Sequence, residues 1–140
     1  MQSKPVGFIP VPAPNYMKKE EKKELFDRWK SLVNMSANEL KTYYNSSDGL
    51  TSGISLQEGR RLGIRTGRQS ARALMRMLPI GKTFTRAYNN WSSNDWEWAK
   101  HQVSFISRMK KLPGPLYRQD KSRSKRLKAL LIWGHNPEKD

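Results

Sequence analysis

Two histidines are the side chains best suited to acid–base or metal chemistry in this chain. His101 lies in a segment with a helical pattern, and His135 lies in the terminal motif Trp-Gly-His-Asn-Pro. A zinc site usually takes three or four His, Cys or carboxylate ligands in an ordered array. Neither histidine has further ligands at such a spacing, and the chain contains no cysteine. The sequence therefore predicts no metal site, no disulfide and no cysteine nucleophile.

Other catalytic patterns are also incomplete. The serines lack the context of a nucleophile elbow, and Gly81-Lys82-Thr83 lacks the earlier glycine of a phosphate-binding loop. Asp95 and Glu97 lie at a helix start, where the helix dipole favours acids. We predict no catalytic residue and no cofactor, so the chain is not expected to be an enzyme.

The terminal motif is interpreted as structural. Trp133 is predicted to lie in the core, and Gly134 to end a helix in a left-handed turn. His135 and Asn136 would then bond nearby backbone, and Pro137 would prevent the helix from continuing.

Positive charge is concentrated in one part of the chain. The net charge of +15 divides into 8 Lys and Arg against 7 Asp and Glu in residues 1–59, and 18 against 3 in residues 60–130. The last ten residues contribute −1. Such a field attracts phosphate polyanions or anionic lipid surfaces, and we favour a polyanion over a merely solvated surface.

An arginine stripe is the most ordered part of this charge. At 100° per residue its members fall within about 80° of one another: Arg65, Arg68, Arg72 and Arg76. The apolar residues of the same helix occupy a separate arc: Ala71, Leu74, Met75 and Leu78. Like charges at this spacing repel, and no acid is interleaved, which favours an anionic partner.

Further phosphate contacts are predicted at cations near the stripe and in the run RQDKSRSKRLK. They are Arg60, Arg61, Lys110, Lys111, Arg118, Lys121, Arg123, Lys125, Arg126 and Lys128. The alternatives for the run are a flexible surface loop or a eukaryotic localisation signal.

The segment around Gly59 and Gly63-Ile64 resembles a helix-turn-helix in the spacing of its small residue and its turn. Gln69 and Arg72 stand where that motif requires apolar residues. Major-groove reading is therefore not predicted.

The surrounding pattern predicts an all-α single domain of four to six helices. Capping pairs begin helices at Ser36, Ser55, Thr66 and Ser92, and a last short helix begins near Ser124. The segment NSSDG is interpreted as a loop, and no alternation typical of a strand appears. The domain would span residues 18–137, with an extended Pro-rich arm at 1–17 and a tail at 138–140.

The arm carries Phe8, Ile9 and Val11, which are too apolar for a pure spacer. They would either pack on their own domain or dock on a protein partner. The sequence shows no membrane-spanning run and no signal-peptide pattern. We expect a cytoplasmic or nucleoid-associated protein, or a virion protein if it is phage-encoded.

The chain resembles a family of small bacterial and phage-associated proteins of unknown function, some of them described as DNA-binding. The resemblance rests on VNMSANEL, GIRTGRQSARALMRM, DWEWAKHQVSFISRM and LLIWGHNP, and covers residues 26–137. It implies nucleic-acid binding but no defined site residues.

The leading hypothesis is non-catalytic binding of nucleic acid, DNA rather than RNA, through phosphate contacts. The alternative is a structural or assembly component, for example of a virion, whose arm docks on a protein. The oligomeric state is left open.

Overall fold

The computed structural model describes residues 17–78 and 91–140. Seven α-helices and one 3-10 helix form in this part of the chain, and no strand does. The predicted all-α class is therefore confirmed, whereas the seven α-helices of the described residues exceed the predicted number of four to six. The helices are α1 (Lys19–Leu32), α2 (Ala37–Tyr44), α3 (Ser47–Leu50), α4 (Leu56–Leu62), α5 (Gly67–Met77), α6 (Ser93–Lys110) and α7 (Lys125–Ile132), and the 3-10 helix is Pro137–Lys139.

Five of these seven α-helices begin at the capping residues predicted for them. Reciprocal capping boxes form at three starts, in which a side chain bonds the backbone N–H three residues on and the return bond is also made: Ser36, Thr66 and Ser92. The side chains of Ser55 and Ser124 accept the corresponding N–H groups at two further starts. These bonds satisfy N–H groups that have no partner within the helix.

One helical turn lies where the sequence pattern indicated a loop. Ser46 accepts the N–H of Gly49 at 3.0 Å and so begins the single turn α3. A Cβ at Gly49 would lie 2.0 Å from the Tyr43 carbonyl oxygen, so only glycine fits against the end of α2. The close approach of Gly49 to the end of α2 determines this helical turn. Such a contact leaves no periodic pattern in the sequence, so the turn could not be predicted.

The core is built around α5, which packs against α2, α6 and α7, while α1 lies along α6. The buried face of α5 carries the apolar arc predicted for it, with Ala71 and Leu74 fully enclosed. At one polar point in this core, buried Gln102 accepts from Trp29 Nε1 at 2.7 Å and donates to Ser70 at 3.2 Å. This bridge links α1, α5 and α6.

The end of α7 is closed by the left-handed turn predicted at Gly134, whose φ is 93°. Trp133 before it is buried, as predicted. The Gly134 N–H donates to the Leu131 carbonyl at 3.0 Å, and the His135 N–H donates to the Leu130 carbonyl at 2.9 Å. This pair of bonds is the Schellman motif, which glycine favours because it adopts positive φ without strain.

Residues 133–140, here called the C-terminal lock, fasten the chain end to the corner between α1 and α2. His135 is fully buried, with Nδ1 2.6 Å from the Leu32 carbonyl oxygen and Nε2 3.1 Å from Asp140 Oδ2. The Leu32 carbonyl lies at the end of α1 and has no partner within the helix. Because a carbonyl oxygen can only accept, Nδ1 is the donor in this bond. The Asn136 N–H donates to Asn34 Oδ1 at 2.7 Å, and Asn34 Nδ2 donates to the Asn136 carbonyl at 3.0 Å. These bonds support the structural role predicted for the Trp-Gly-His-Asn-Pro motif.

The structure describes the whole predicted tail but only one residue of the predicted arm. The docking residues Phe8, Ile9 and Val11 lie outside the described residues, and only Met17 of the predicted arm is seen, partly buried against the core. At the other end, Lys139 Nζ donates to the Asn34 carbonyl at 3.0 Å. The three residues described as a tail are thus bonded to the domain.

Candidate nucleic-acid interface

The α4–α5 corner has the predicted turn but does not present α5 as a recognition helix. Gly63 has a φ of 70°, and a Cβ at Gly59 would lie 2.5 Å from Thr66 Cγ2, which explains the small residue. Leu62 and Ile64 are 50% and 54% exposed, whereas an apolar helix-turn-helix corner would be buried. A recognition helix reads a major groove with its exposed side chains, and on α5 only Arg72 and Arg76 are exposed because the helix packs against three others.

The exposed part of the arginine stripe is narrower than the sequence indicates. Arg72 and Arg76 are exposed on α5. Arg76 Nη2 lies 3.8 Å from Asp95 Oδ1, a long pair in which the arginine side chain is 59% exposed. Such a pair contributes little and leaves most of the guanidinium available to a phosphate.

Arg65 lies outside the helix, so its direction is not set by helical periodicity. Thr66 is the N-cap of α5, and Arg65 precedes it. Its guanidinium carbon lies 5.4 Å from the centroid of the Trp98 ring on α6, and its side chain remains exposed. A cation–π contact of this kind orients a cation without neutralising it.

Arg68 is engaged within the protein. Its Nη1 donates to the carbonyls of Tyr44 at 3.0 Å and Gly49 at 2.9 Å, which belong to the end of α2 and to α3. Its guanidinium carbon lies 3.7 Å from the Tyr44 ring centroid. This side chain fastens the α2–α3 corner to α5, a role that spacing alone does not reveal.

Arg60 and Arg61 are exposed on α4. Arg61 forms an ion pair with Glu58, one turn earlier, through both Nε and Nη2. Among the described residues, no ion pair is seen for Arg60.

The basic run after α6 begins with a hydrogen-bonded turn. The Arg118 N–H donates to the Ser122 carbonyl at 2.8 Å, and Lys121 takes a positive φ of 69°. Asp120 accepts from the N–H and hydroxyl of Ser122, and these bonds hold the pKa of this carboxyl below its usual value. Arg118, Lys121 and the nearby Lys125 are exposed around the turn.

The second half of the run turns inward. Arg123 Nη1 bonds Asp48 Oδ2 at 2.6 Å, and Lys128 Nζ donates to Thr51 Oγ1 at 2.9 Å. Arg126 is partly buried, with Nε and Nη1 enclosed by protein. These three cations are therefore less accessible to a phosphate than the turn before them.

The two predicted lysines at the end of α6 differ. Lys110 Nζ lies 3.6 Å from Asp140 Oδ2, which also faces His135, so this lysine joins the C-terminal lock. Lys111 is exposed as the C-cap of the helix.

The histidines lie apart, and no group of three metal-ligating side chains occurs in the described part of the chain. His135 is bonded as described above. His101 lies on α6, where burial, and then the charge of Arg65, lower its pKa below the ordinary value. It is therefore neutral at neutral pH and adds no charge to the surface.

A groove that the sequence did not predict lies between the α4–α5 turn, the middle of α6 and the end of α7. Its volume is about 590 Å³, and Arg65, His101 and Arg108 line it. Phe105 and Trp133 form its aromatic part, with ring centroids 4.3 Å apart and planes at 16°. The i, i+4 spacing of His101 and Phe105 predicts that both lie on one face of α6. The contact between Phe105 and Trp133 depends on how α6 and α7 pack, which this spacing does not predict.

Within residues 17–78 and 91–140, none of the helices combines the length and apolarity needed to cross a membrane. No family model matches this chain, and neither a curated protein nor a solved structure shows significant similarity to it. The resemblance to the phage-associated family therefore stays a prediction.

Proposed function

We propose that the chain is a non-catalytic nucleic-acid-binding protein that contacts phosphates, DNA rather than RNA, through a basic surface. It would act in the cytoplasm, on the nucleoid, or in a virion. The observation that carries the proposal is the excess of positive charge in residues 60–130, which contain 18 Lys and Arg against 3 Asp and Glu.

The few acids of this segment are already engaged locally, which strengthens the argument. Asp95 caps α6 through the Ser92 N–H, and Asp120 accepts from Ser122. Glu97 lies 3.9 Å from Lys100 on the same helix. Most of the cations therefore have no acid of their own segment to pair with, and a polyanion would supply the missing countercharge.

The proposed contacts are those cations, among the ones predicted from the sequence, that are exposed and make no close ion pair within the described residues. They are Arg60, Arg65, Arg72, Lys111, Arg118, Lys121 and Lys125, with Arg76 added because its pair is long. Arg68 and Arg123 are assigned to the architecture, because both already bond other parts of the domain.

The test is a salt titration of duplex DNA binding with the triple variant Arg65→Ala, Arg72→Ala and Arg76→Ala. Removing one phosphate contact should reduce the slope of log affinity against log salt by about 0.9, so the triple variant should reduce it by roughly 2 to 3. A matched control removes three exposed cations of α1 and α2: Lys19→Ala, Arg28→Ala and Lys41→Ala. Equal effects of the two triple variants would mean that net charge alone drives binding, and failure of the unaltered protein to bind either duplex or single-stranded DNA would refute the proposal.

A further inference from the structure

The groove beside Trp133 combines an aromatic floor with a cationic rim. Phe105 stacks on Trp133, and because Phe105 is only partly buried, part of its ring remains accessible from the groove. Ile54 and Ile64 also line the groove, and Ile64 is 54% exposed. A flat apolar group entering here would meet apolar side chains from α6 and from the segments that flank α4.

Charge at the rim is of one sign. Arg65 and Arg108 line the groove from two different elements, the turn before α5 and the last turn of α6, and no carboxylate is among the lining side chains described. Both arginines are exposed. The rim is therefore complementary to an anion, while the floor suits an aromatic ring.

We propose that this groove holds one unpaired nucleotide of a nucleic-acid strand, with its base against Phe105 and its flanking phosphates at Arg65 and Arg108. The inference rests on the proposed function and adds the form of nucleic acid that is bound. The volume of about 590 Å³ lies in the range of small-ligand sites.

A preference for single strands follows from this geometry. A base inside a duplex is stacked and paired, so it cannot reach a recessed floor without being extruded. An unpaired base can stack on an aromatic side chain at no such cost, as in many proteins that bind single strands. Exposed arginines outside the groove, such as Arg72, would contact phosphates of either form.

The test compares three fluorescent ligands of equal length, about 12 nucleotides per strand: oligothymidylate, an abasic phosphodiester strand and a duplex. Anisotropy titrations of the full chain should give about tenfold tighter binding to oligothymidylate than to the abasic strand, the size expected for one stacked base. Phe105→Leu keeps an apolar floor without an aromatic face and should bring this ratio close to one.

Two further variants guard against loss of folding as the cause. Ile64→Ser alters an exposed wall residue and should also reduce the ratio, with an unchanged melting temperature. Arg72→Ala lies outside the groove and should weaken the binding of all three ligands in equal proportion. An unchanged ratio in both Phe105→Leu and Ile64→Ser would overturn the inference.

Failure of the groove and failure of the proposed function give different results. Equal affinity of the unaltered protein for the abasic strand and oligothymidylate would refute the groove and leave phosphate binding intact. No binding of any of the three would refute both. Displacement of oligothymidylate by an equally charged glutamate peptide at the same concentration would instead indicate a site for acidic protein segments and overturn the inference.

Discussion

The substitution His135→Ala tests the C-terminal lock at its most enclosed side chain. It removes an imidazole with no exposed surface and both of its hydrogen bonds. The Leu32 carbonyl at the end of α1 is left without its donor, and leaving a buried acceptor unsatisfied costs about 1–3 kcal/mol. A partly collapsed cavity in place of the ring adds about 1 kcal/mol.

We therefore expect the free energy of unfolding to fall by about 2–4 kcal/mol, a large share of the roughly 5–15 kcal/mol typical of a domain. Denaturant titration followed by tryptophan fluorescence measures the change. Asp140→Asn serves as the matched control, because it alters the contacts to Nε2 and to Lys110 but leaves the Nδ1 bond in place. Since the Asp140 side chain is 44% exposed, the effect of this control should stay below about 1 kcal/mol.

The opposite pattern would refute this reasoning. If His135→Ala unfolds at the same denaturant concentration as the unaltered protein but no longer binds nucleic acid, the histidine belongs to a functional site. Affinity must be compared below the transition, where both proteins are folded. A reduced stability with retained affinity for duplex DNA would support the lock.

Two other side chains give separate expectations. Arg68→Ala should lower the free energy of unfolding by about 2–3 kcal/mol, because it breaks charge-assisted bonds to two carbonyls. Arg72→Ala on the exposed face should change it by less than about 0.5 kcal/mol. Equal decreases in denaturant titration would contradict the structural role of Arg68. Because the pKa of His101 is lowered in the folded state, chiefly by burial, the unfolded chain binds more protons around the ordinary histidine pKa, so stability should fall as the pH drops through that window. Thermal melts from about pH 7.5 to about pH 5 should show this slope reduced in His101→Gln, and an identical slope would count against it.

Helix starts could be predicted from the sequence because their causes are local. Ser36, Thr66 and Ser92 each lie three residues before the side chain that completes the capping box, and all three boxes form. The Gly134 turn is local in the same sense, since Gly between an apolar run and His-Asn-Pro suits only a helix end.

The sequence could not predict which arginines bond within the domain and which remain exposed. Arg68 and Arg72 are four residues apart on one face, yet Arg68 reaches carbonyls 19 and 24 residues earlier in the chain, and Arg72 does not. Which of them meets the α2–α3 corner depends on how α5 packs. Arg123 likewise bonds Asp48, 75 residues away. A charge count therefore overestimates the cations that remain for a partner.

Trp133 links the C-terminal lock to the groove, since it directly precedes the Gly134 turn and forms part of the groove floor. If removal of the lock lets the end of α7 shift, Phe105 is deprived of the ring on which it stacks. His135→Ala would then weaken single-strand binding without any direct contact to the strand. Comparing the two single-stranded ligands distinguishes the two causes. A shifted groove floor would reduce the preference for oligothymidylate over the abasic strand, whereas loss of a phosphate contact at His135 would weaken the binding of both strands equally.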